Sequence, residues 1–163
     1  MSGILRVLII EDSALDAKVF VGLIQAGGYE VTSERVETAE QYTRALENEV
    51  WDIILADYNL PEFNGSEGLR LLQESGRDIP FIVISGGIGE DLAAQIMKSG
   101  AHDYLMKGNL ARLVPAVDGG VVVDHEHRIV GLERPTNERQ LLKHGRQVRQ
   151  RARRIPNASV APT

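Results

Sequence analysis

Three carboxylates, one hydroxyl and one ammonium stand where they could do chemistry together: Glu11, Asp12, Asp57, Ser85 and Lys107. Each closes or directly follows a short apolar run. A lone acid in such a place is ordinarily a loop residue or a helix cap, and Asp12 has the right position to cap the helix that follows it. Crowding three carboxylates is another matter, because like charges repel and resist ionisation unless a cation compensates them. A hard cation with oxygen ligands is the simplest compensation. Mg2+ favours one or two carboxylates together with retained waters and a phosphate oxygen. The expected shell is Asp12 and Asp57 as direct ligands, Glu11 through a water, and the backbone carbonyl of Asn59. Phosphoryl transfer needs alignment and charge neutralisation more than covalent help from the protein. Asp57 as nucleophile, with a cation and Lys107 on the phosphoryl oxygens and the Ser85 hydroxyl as donor, would supply both.

The intervening residues must bring these groups to one place. Five apolar, β-branched runs cover residues 4–10, 31–36, 51–56, 79–84 and 104–106. The first, third and fourth are nearly continuous Val, Ile and Leu, the pattern of strands covered on both faces. Helical patterns lie between the runs. Residues 14–26 place Ala17, Phe20, Val21 and Ile24 along one face, and Gly27-Gly28 supplies a stop. Thr38-Ala39-Glu40-Gln41 has the form of a capping box opening a helix to about residue 47. Residues 65–75 and 90–99 supply a third and a fourth helix. A fifth starts near Asn109 and carries Leu110, Leu113, Val114 and Val117, and Asp118-Gly119-Gly120 is expected to end it. Five alternating β-α units predict an α/β fold, a doubly wound five-stranded parallel sheet flanked by helices. Such sheets bind ligands beyond the carboxyl ends of their strands. That rim is where the five chemical groups fall.

Glu11-Asp12, Asp57-Tyr58-Asn59-Leu60-Pro61, Ser85-Gly86 and Lys107 together resemble the receiver domain of two-component response regulators, over about residues 4–117. The intervals of 45 residues from Asp12 to Asp57, 28 from there to Ser85 and 22 from there to Lys107 match that family. The central pentapeptide is short and unspecific, whereas the four-part set in order on a five-unit β/α pattern is specific. The resemblance implies a flavodoxin-like receiver fold in residues 1–117, Mg2+ as cofactor, and a cytoplasmic protein. It implies that Asp57 takes a phosphoryl group from a histidine kinase or a histidine phosphotransfer protein. The receiver would catalyse its own modification without being a conventional turnover enzyme. It further implies that the backbone N–H groups of Tyr58 and Gly86 bind the phosphoryl group and that Ser85 rotates toward it. Tyr104, three residues before Lys107, would be the switch aromatic that turns inward as Ser85 moves. Phosphorylation adds roughly −1.5 to −2 charge. A downstream protein is then expected to read the face made by the fourth helix, fifth strand and fifth helix, from about residue 88 to 117. One departure concerns Gly108, where many members carry a proline after the lysine, often with a cis peptide; the loop is expected to be less rigid here. Gly86-Gly87-Ile88-Gly89 lacks the Lys-Ser/Thr of a P-loop and reads as a flexible loop. Gly87 is expected to leave the site open to water.

Bulk properties narrow the choices. The 163 residues contain no cysteine, which excludes disulfides, thiolate catalysis and Cys-ligated zinc. No apolar run approaches the roughly 20 residues of a bilayer span, and Met1-Ser2-Gly3 lacks a basic n-region, so neither a membrane span nor secretion is expected. Residues 1–114 hold 9 basic and 18 acidic side chains, against 9 and 5 in residues 115–163. This acidic body and basic tail suggest two regions of different character. Residues 118–163 read as a separate tail, with a strand-turn-strand at about 120–131 that resembles the opening hairpin of a PAS sensor domain, truncated. His125 and His127 lie in a polar turn there and are expected to be solvated. The basic segment after it is expected to be partly disordered, and no nucleic-acid partner is expected. Two other readings of the acid rim stay open. One is a Mg2+-dependent aspartyl-phosphate phosphatase, which usually has a second acid where this chain has Asn59. The other is a pseudo-receiver working by protein contacts alone.

Overall fold

The computed structural model describes residues 4–87 and 89–122. Strands and helices alternate along them: β1 Ile4–Ile10, α1 Ala14–Ala26, β2 Glu30–Val36, α2 Ala39–Asn48, β3 Ile53–Asp57, α3 Gly65–Glu74, β4 Phe81–Ser85, α4 Glu90–Lys98 and β5 Asp103–Met106. A 3-10 turn, Leu110–Arg112, then leads into α5, Leu113–Val122. All four strand pairings are parallel, and the order across the sheet is β2-β1-β3-β4-β5. The chain winds one way from β1 to β2 and the other way from β1 through β3, which opens a crevice beyond the carboxyl ends of β1 and β3. This is the doubly wound sheet the sequence predicts.

Alternation of side chains along the strands divides the core in two. Leu8, Ile10, Ile54, Ala56, Phe81 and Val83 face the side covered by α2, α3 and α4. Val7, Ile9, Ile53, Leu55, Ile82 and Ile84 face α1 and α5, where Phe20, Ile24, Leu113 and Val117 cover them. Every residue of β3 and β4 is buried, as expected for strands sandwiched between helix layers.

Helix starts follow from local hydrogen bonding. The side chains of Ser13, Thr38 and Asn64 accept from the backbone N–H of Asp16, Gln41 and Glu67, respectively, which satisfies donors left free at each helix start. The reciprocal arm of the capping box lands one residue early, because Gln41 Oε1 accepts from the N–H of Glu37 rather than Thr38. Gly68 lets α3 lie against the sheet, since a Cβ there would stand 2.6 Å from Ile10 Cδ1 and 3.4 Å from Phe81 Cζ.

The expected stop at Asp118-Gly119-Gly120 is corrected by α5, which continues through these residues to Val122. Gly120 is buried, and a Cβ there would lie 3.1 Å from Pro80 Cβ and 3.6 Å from Ile53 Cδ1. Close packing of the bare backbone on the base of the sheet thus outweighs a helix propensity about 1 kcal/mol worse than alanine's. Residues 120–122 are helical, so the start of the expected hairpin is not a strand. The remainder of that hairpin, His125, His127 and the basic segment lie outside the described residues, as does Ile88. Among the described residues no helix is long and apolar enough to cross a membrane.

Two helix glycines should respond oppositely to the same change. Gly68→Ala is expected to lose about 1–3 kcal/mol through overpacking. Gly22→Ala, in α1 with nothing within 4 Å of the new Cβ, is expected to gain about 0.5–1 kcal/mol. Urea-unfolding midpoints of both variants against the parent check this, and shifts of the same sign would contradict it.

Candidate functional site

Strand register gathers the site. Ile10 stands opposite Ala56, Asp57 opposite Ile84, and Ser85 opposite Met106. Glu11, Asp57, Ser85 and Lys107 therefore arrive at one rim. The Lys107 N–H donates to the Ser85 carbonyl at 2.7 Å, which ties the lysine to the end of β4. Carboxylate oxygens of Glu11, Asp12 and Asp57 lie within 4.8 Å of one another. Glu11 is fully buried and Asp57 nearly so, while Asp12 is exposed. This graded burial leaves the acidic cluster exposed on the Asp12 side.

Lys107 reaches across the rim as the counter-charge. Its Nζ lies 2.8 Å from Asp57 Oδ2, 2.9 Å from Asp16 Oδ2 and 3.1 Å from Glu11 Oε2. Burial disfavours the ammonium, but its hydrogen bonds to Asp57, Asp16 and Glu11 outweigh burial and hold its pKa well above the ordinary lysine value. Glu11 shows the opposite strain. Burial pushes its carboxyl from 4.5 up to about 7; the Ser13 N–H and Lys107 pull it down, and neighbouring Asp12 and Asp57 add to the rise. The Ser13 N–H donates to Glu11 Oε1 at 3.0 Å.

The Asp57–Asn59 turn fixes the nucleophile's surroundings. Asn59 N–H donates to Asp57 Oδ1 at 2.9 Å, and Asn59 Nδ2 donates to Ser85 Oγ at 2.9 Å. The Gly87 N–H also points to Ser85 Oγ, at 3.3 Å. Ser85 Oγ thus accepts twice and is turned toward Asn59. The Tyr58 N–H donates to the Ile84 carbonyl at 3.2 Å, one step beyond β3. The backbone donor that meets the Asp57 carboxylate is therefore that of Asn59. Gly86 is exposed beside the Asn59 amide. Tyr104 packs among the α4-side core, and its buried hydroxyl finds no hydrogen-bond partner among the described residues.

Two residues at the rim were not singled out by the sequence. Asp16 lies in the first turn of α1, where its position four residues after Asp12 was the available signal. Arg35 stands at the end of β2, and its Nη1 donates to the carbonyls of Glu11 at 3.1 Å and Asp12 at 3.3 Å while also pairing with Glu37. It anchors the backbone that carries the acids. The signal was again positional, because β2 ends on the same rim as β1.

The family model described as response regulator receiver domain matches residues 7–118. The chain belongs to that family, the receiver domains of two-component signalling systems. Among curated relatives, it is 30% identical over 104 residues to the transcriptional regulatory protein ZraR of Klebsiella oxytoca, covering 62% of this chain and 22% of ZraR. The match thus spans under a quarter of that relative. Among solved structures, the signal receiver domain of a LuxO repressor protein from Vibrio parahaemolyticus aligns with a TM-score of 0.66 at 25% identity, covering 78% of this chain and 98% of that one. The receiver domain of sensor histidine kinase PA1611 from Pseudomonas aeruginosa aligns with a TM-score of 0.61 at 26% identity, over 74% and 99% of the two chains. That receiver carries a magnesium ion coordinated in its active-site cleft.

Glu11 should leave a pH signature in cation-free protein. Between pH 4.5 and about 7 the folded chain retains a Glu11 proton that the unfolded chain has released. Its contribution to stability is therefore fully present below 4.5 and is lost as pH rises through about 7. In EDTA, stability of the parent is expected to decline relative to Glu11→Gln across this window, read from urea midpoints at pH 5, 6 and 7.5. Parallel pH profiles for the two proteins would show that Glu11 is not strained.

Proposed function

We propose that this chain accepts a phosphoryl group on Asp57 in a Mg2+-dependent reaction, taking it from a histidine kinase or histidine phosphotransfer protein in the cytoplasm. The observation that carries the reading is the meeting of Glu11, Asp12 and Asp57 within 4.8 Å, with Lys107 held 2.8 Å from Asp57. Three carboxylates in so small a space, one of them strained by burial, form a donor set suited to a hard, oxygen-seeking cation. Asp12 and Asp57 would bind it directly, Glu11 through water, and the Asn59 carbonyl would complete the protein shell. The cation's part is to neutralise charge on the phosphoryl oxygens.

The protein's own groups supply the rest. An Asp57 carboxylate oxygen forms the bond to phosphorus as the donor's phosphoryl bond breaks. Lys107 places its ammonium where a phosphoryl oxygen develops charge, and Ser85 offers a hydroxyl once it lets go of Asn59. The N–H groups of Tyr58 and Gly86 are the remaining donors near that position; Tyr58 must first release the Ile84 carbonyl. Asn59 is an amide and its Nδ2 is committed to Ser85 Oγ. It cannot serve as the general acid of a phosphatase.

Modification would act through Ser85 and Tyr104. A phosphoryl group drawing Ser85 away from Asn59 changes the packing beside β4. Tyr104, whose hydroxyl has no partner among the described residues, then provides the second element of a two-state response. The output face is α4, β5 and α5, where Met97 and Met106 are large apolar side chains 42% and 49% exposed. A downstream protein docking there would cover them.

Incubation with acetyl phosphate and Mg2+, followed by intact-mass measurement, tests the reading. The parent is expected to gain one phosphoryl group and Asp57→Asn none, with EDTA abolishing the gain. Repeated turnover of phosphate esters would favour a phosphatase, and absence of both modification and turnover a pseudo-receiver.

A further inference from the structure

We propose that Asp16 is a positioning residue for the reaction at Asp57, receiving the Lys107 ammonium when a divalent cation occupies the Glu11, Asp12 and Asp57 group. The inference rests on the cation-dependent reading of that group. A lysine ammonium has three donors, and Lys107 aims at three carboxylates: Asp57, Asp16 and Glu11. Two of these belong to the set whose oxygens converge within 4.8 Å, whereas Asp16 does not. A cation drawing on Glu11 and Asp57 therefore draws on carboxylates that the ammonium also contacts, and it repels the ammonium directly. Asp16 is the one acceptor of the three that the cation leaves free.

The surroundings suit this exchange. The Asp16 N–H donates to Ser13 Oγ at 3.1 Å, which fixes the backbone from which its carboxylate projects. That backbone sits in the first turn of α1, where a negative charge is favoured by the helix. The Asp16 side chain is 38% exposed and that of Lys107 is 28% exposed, so the pair lies at the solvent side of the cluster, while Glu11 is fully buried. Lys107 has a flexible four-carbon stem. Its main chain is pinned by the Ser85 carbonyl, whereas Gly108 after it has nothing within 4 Å of a would-be Cβ. The ammonium can thus be steered by side-chain partners alone. With Asp16 in place, it can remain beside Asp57 while depending less on the carboxylates the cation would use.

The test is calorimetric titration of the full chain with MgCl2, using Asp16→Asn, Lys107→Met, their combination and Asp16→Glu, with far-UV circular dichroism to establish folding. Asp16→Asn is expected to weaken Mg2+ about three- to tenfold, the scale of coupling within one ion-pair network. In the Lys107→Met background the same change should matter less than about twofold, because no ammonium remains to be relocated. Asp16→Glu should retain most of the parent's affinity, and it serves as the working variant should Asp16→Asn fail to fold. An equal loss with and without Lys107 would overturn the proposal, reducing Asp16 to a background charge, as would no loss at all. A parent that binds no Mg2+ would instead defeat the cation-dependent reading itself.

Discussion

Mutual repulsion among Glu11, Asp12 and Asp57 is the constraint around which the rest of this molecule is arranged. A fully buried Glu11 beside a nearly buried Asp57 is a costly combination in a folded protein. Lys107 is the local answer, since one ammonium meets both acids and Asp16 as well. One positive charge does not neutralise four carboxylates; at Glu11 burial is the main cause of the raised pKa, and neighbouring Asp12 and Asp57 add to it. The site is thus poised for further positive charge on its open, Asp12 side. The cation binding and the phosphoryl acceptance proposed for it would have the same electrostatic origin.

Only a stiff frame can hold like charges together. The parallel register of β1, β3, β4 and β5 fixes where Glu11, Asp57, Ser85 and Lys107 emerge. Of these, β3 and β4 are wholly buried and β1 largely so between two helix layers, so a shift of one residue would displace core side chains and turn charges inward. Hydrophobic burial on both faces therefore stabilises the fold and supports the strain at its rim. Arg35 adds a local brace by holding the Glu11 and Asp12 carbonyls from the edge strand β2.

Legibility in the sequence followed this division between frame and rim. The near-continuous Val/Ile/Leu runs identified β1, β3 and β4 because both faces of those strands are covered. The start of β3 was read two residues early: Trp51 and Asp52 look like strand residues, but Trp51 Nε1 donates to the Ala45 carbonyl and Asp52 Oδ2 accepts from the Arg6 N–H. The end of α5 was misread for a related reason. Glycine's poor helix propensity is a local property, whereas the fit of Gly120 against Pro80 is tertiary and leaves no periodic trace. At the site, groups directly after strands could be placed from the pattern alone. Asp16 and Arg35 could not, because their contacts depend on where side chains from a helix turn and an edge strand end in space.

The hydrogen bonds around Ser85 show why such a rim can respond to one added group. Ser85 Oγ is fully buried and accepts from both Asn59 Nδ2 and the Gly87 N–H. Moving it abandons two neutral hydrogen bonds of about 1 kcal/mol each. A phosphoryl oxygen would offer a charge-assisted bond roughly twice as strong as a neutral one. The two sides are close enough for one modification to decide between them. Tyr104 has a buried hydroxyl without a partner among the described residues, so moving its ring would break no hydrogen bond of that group. Serine and tyrosine stand on neighbouring strands, so a change at the first alters the packing available to the second. In the proposed response, a strained acid cluster, a serine held by modest bonds and an incompletely satisfied tyrosine would link the Asp57 carboxylate to the outer face of α4 and β5.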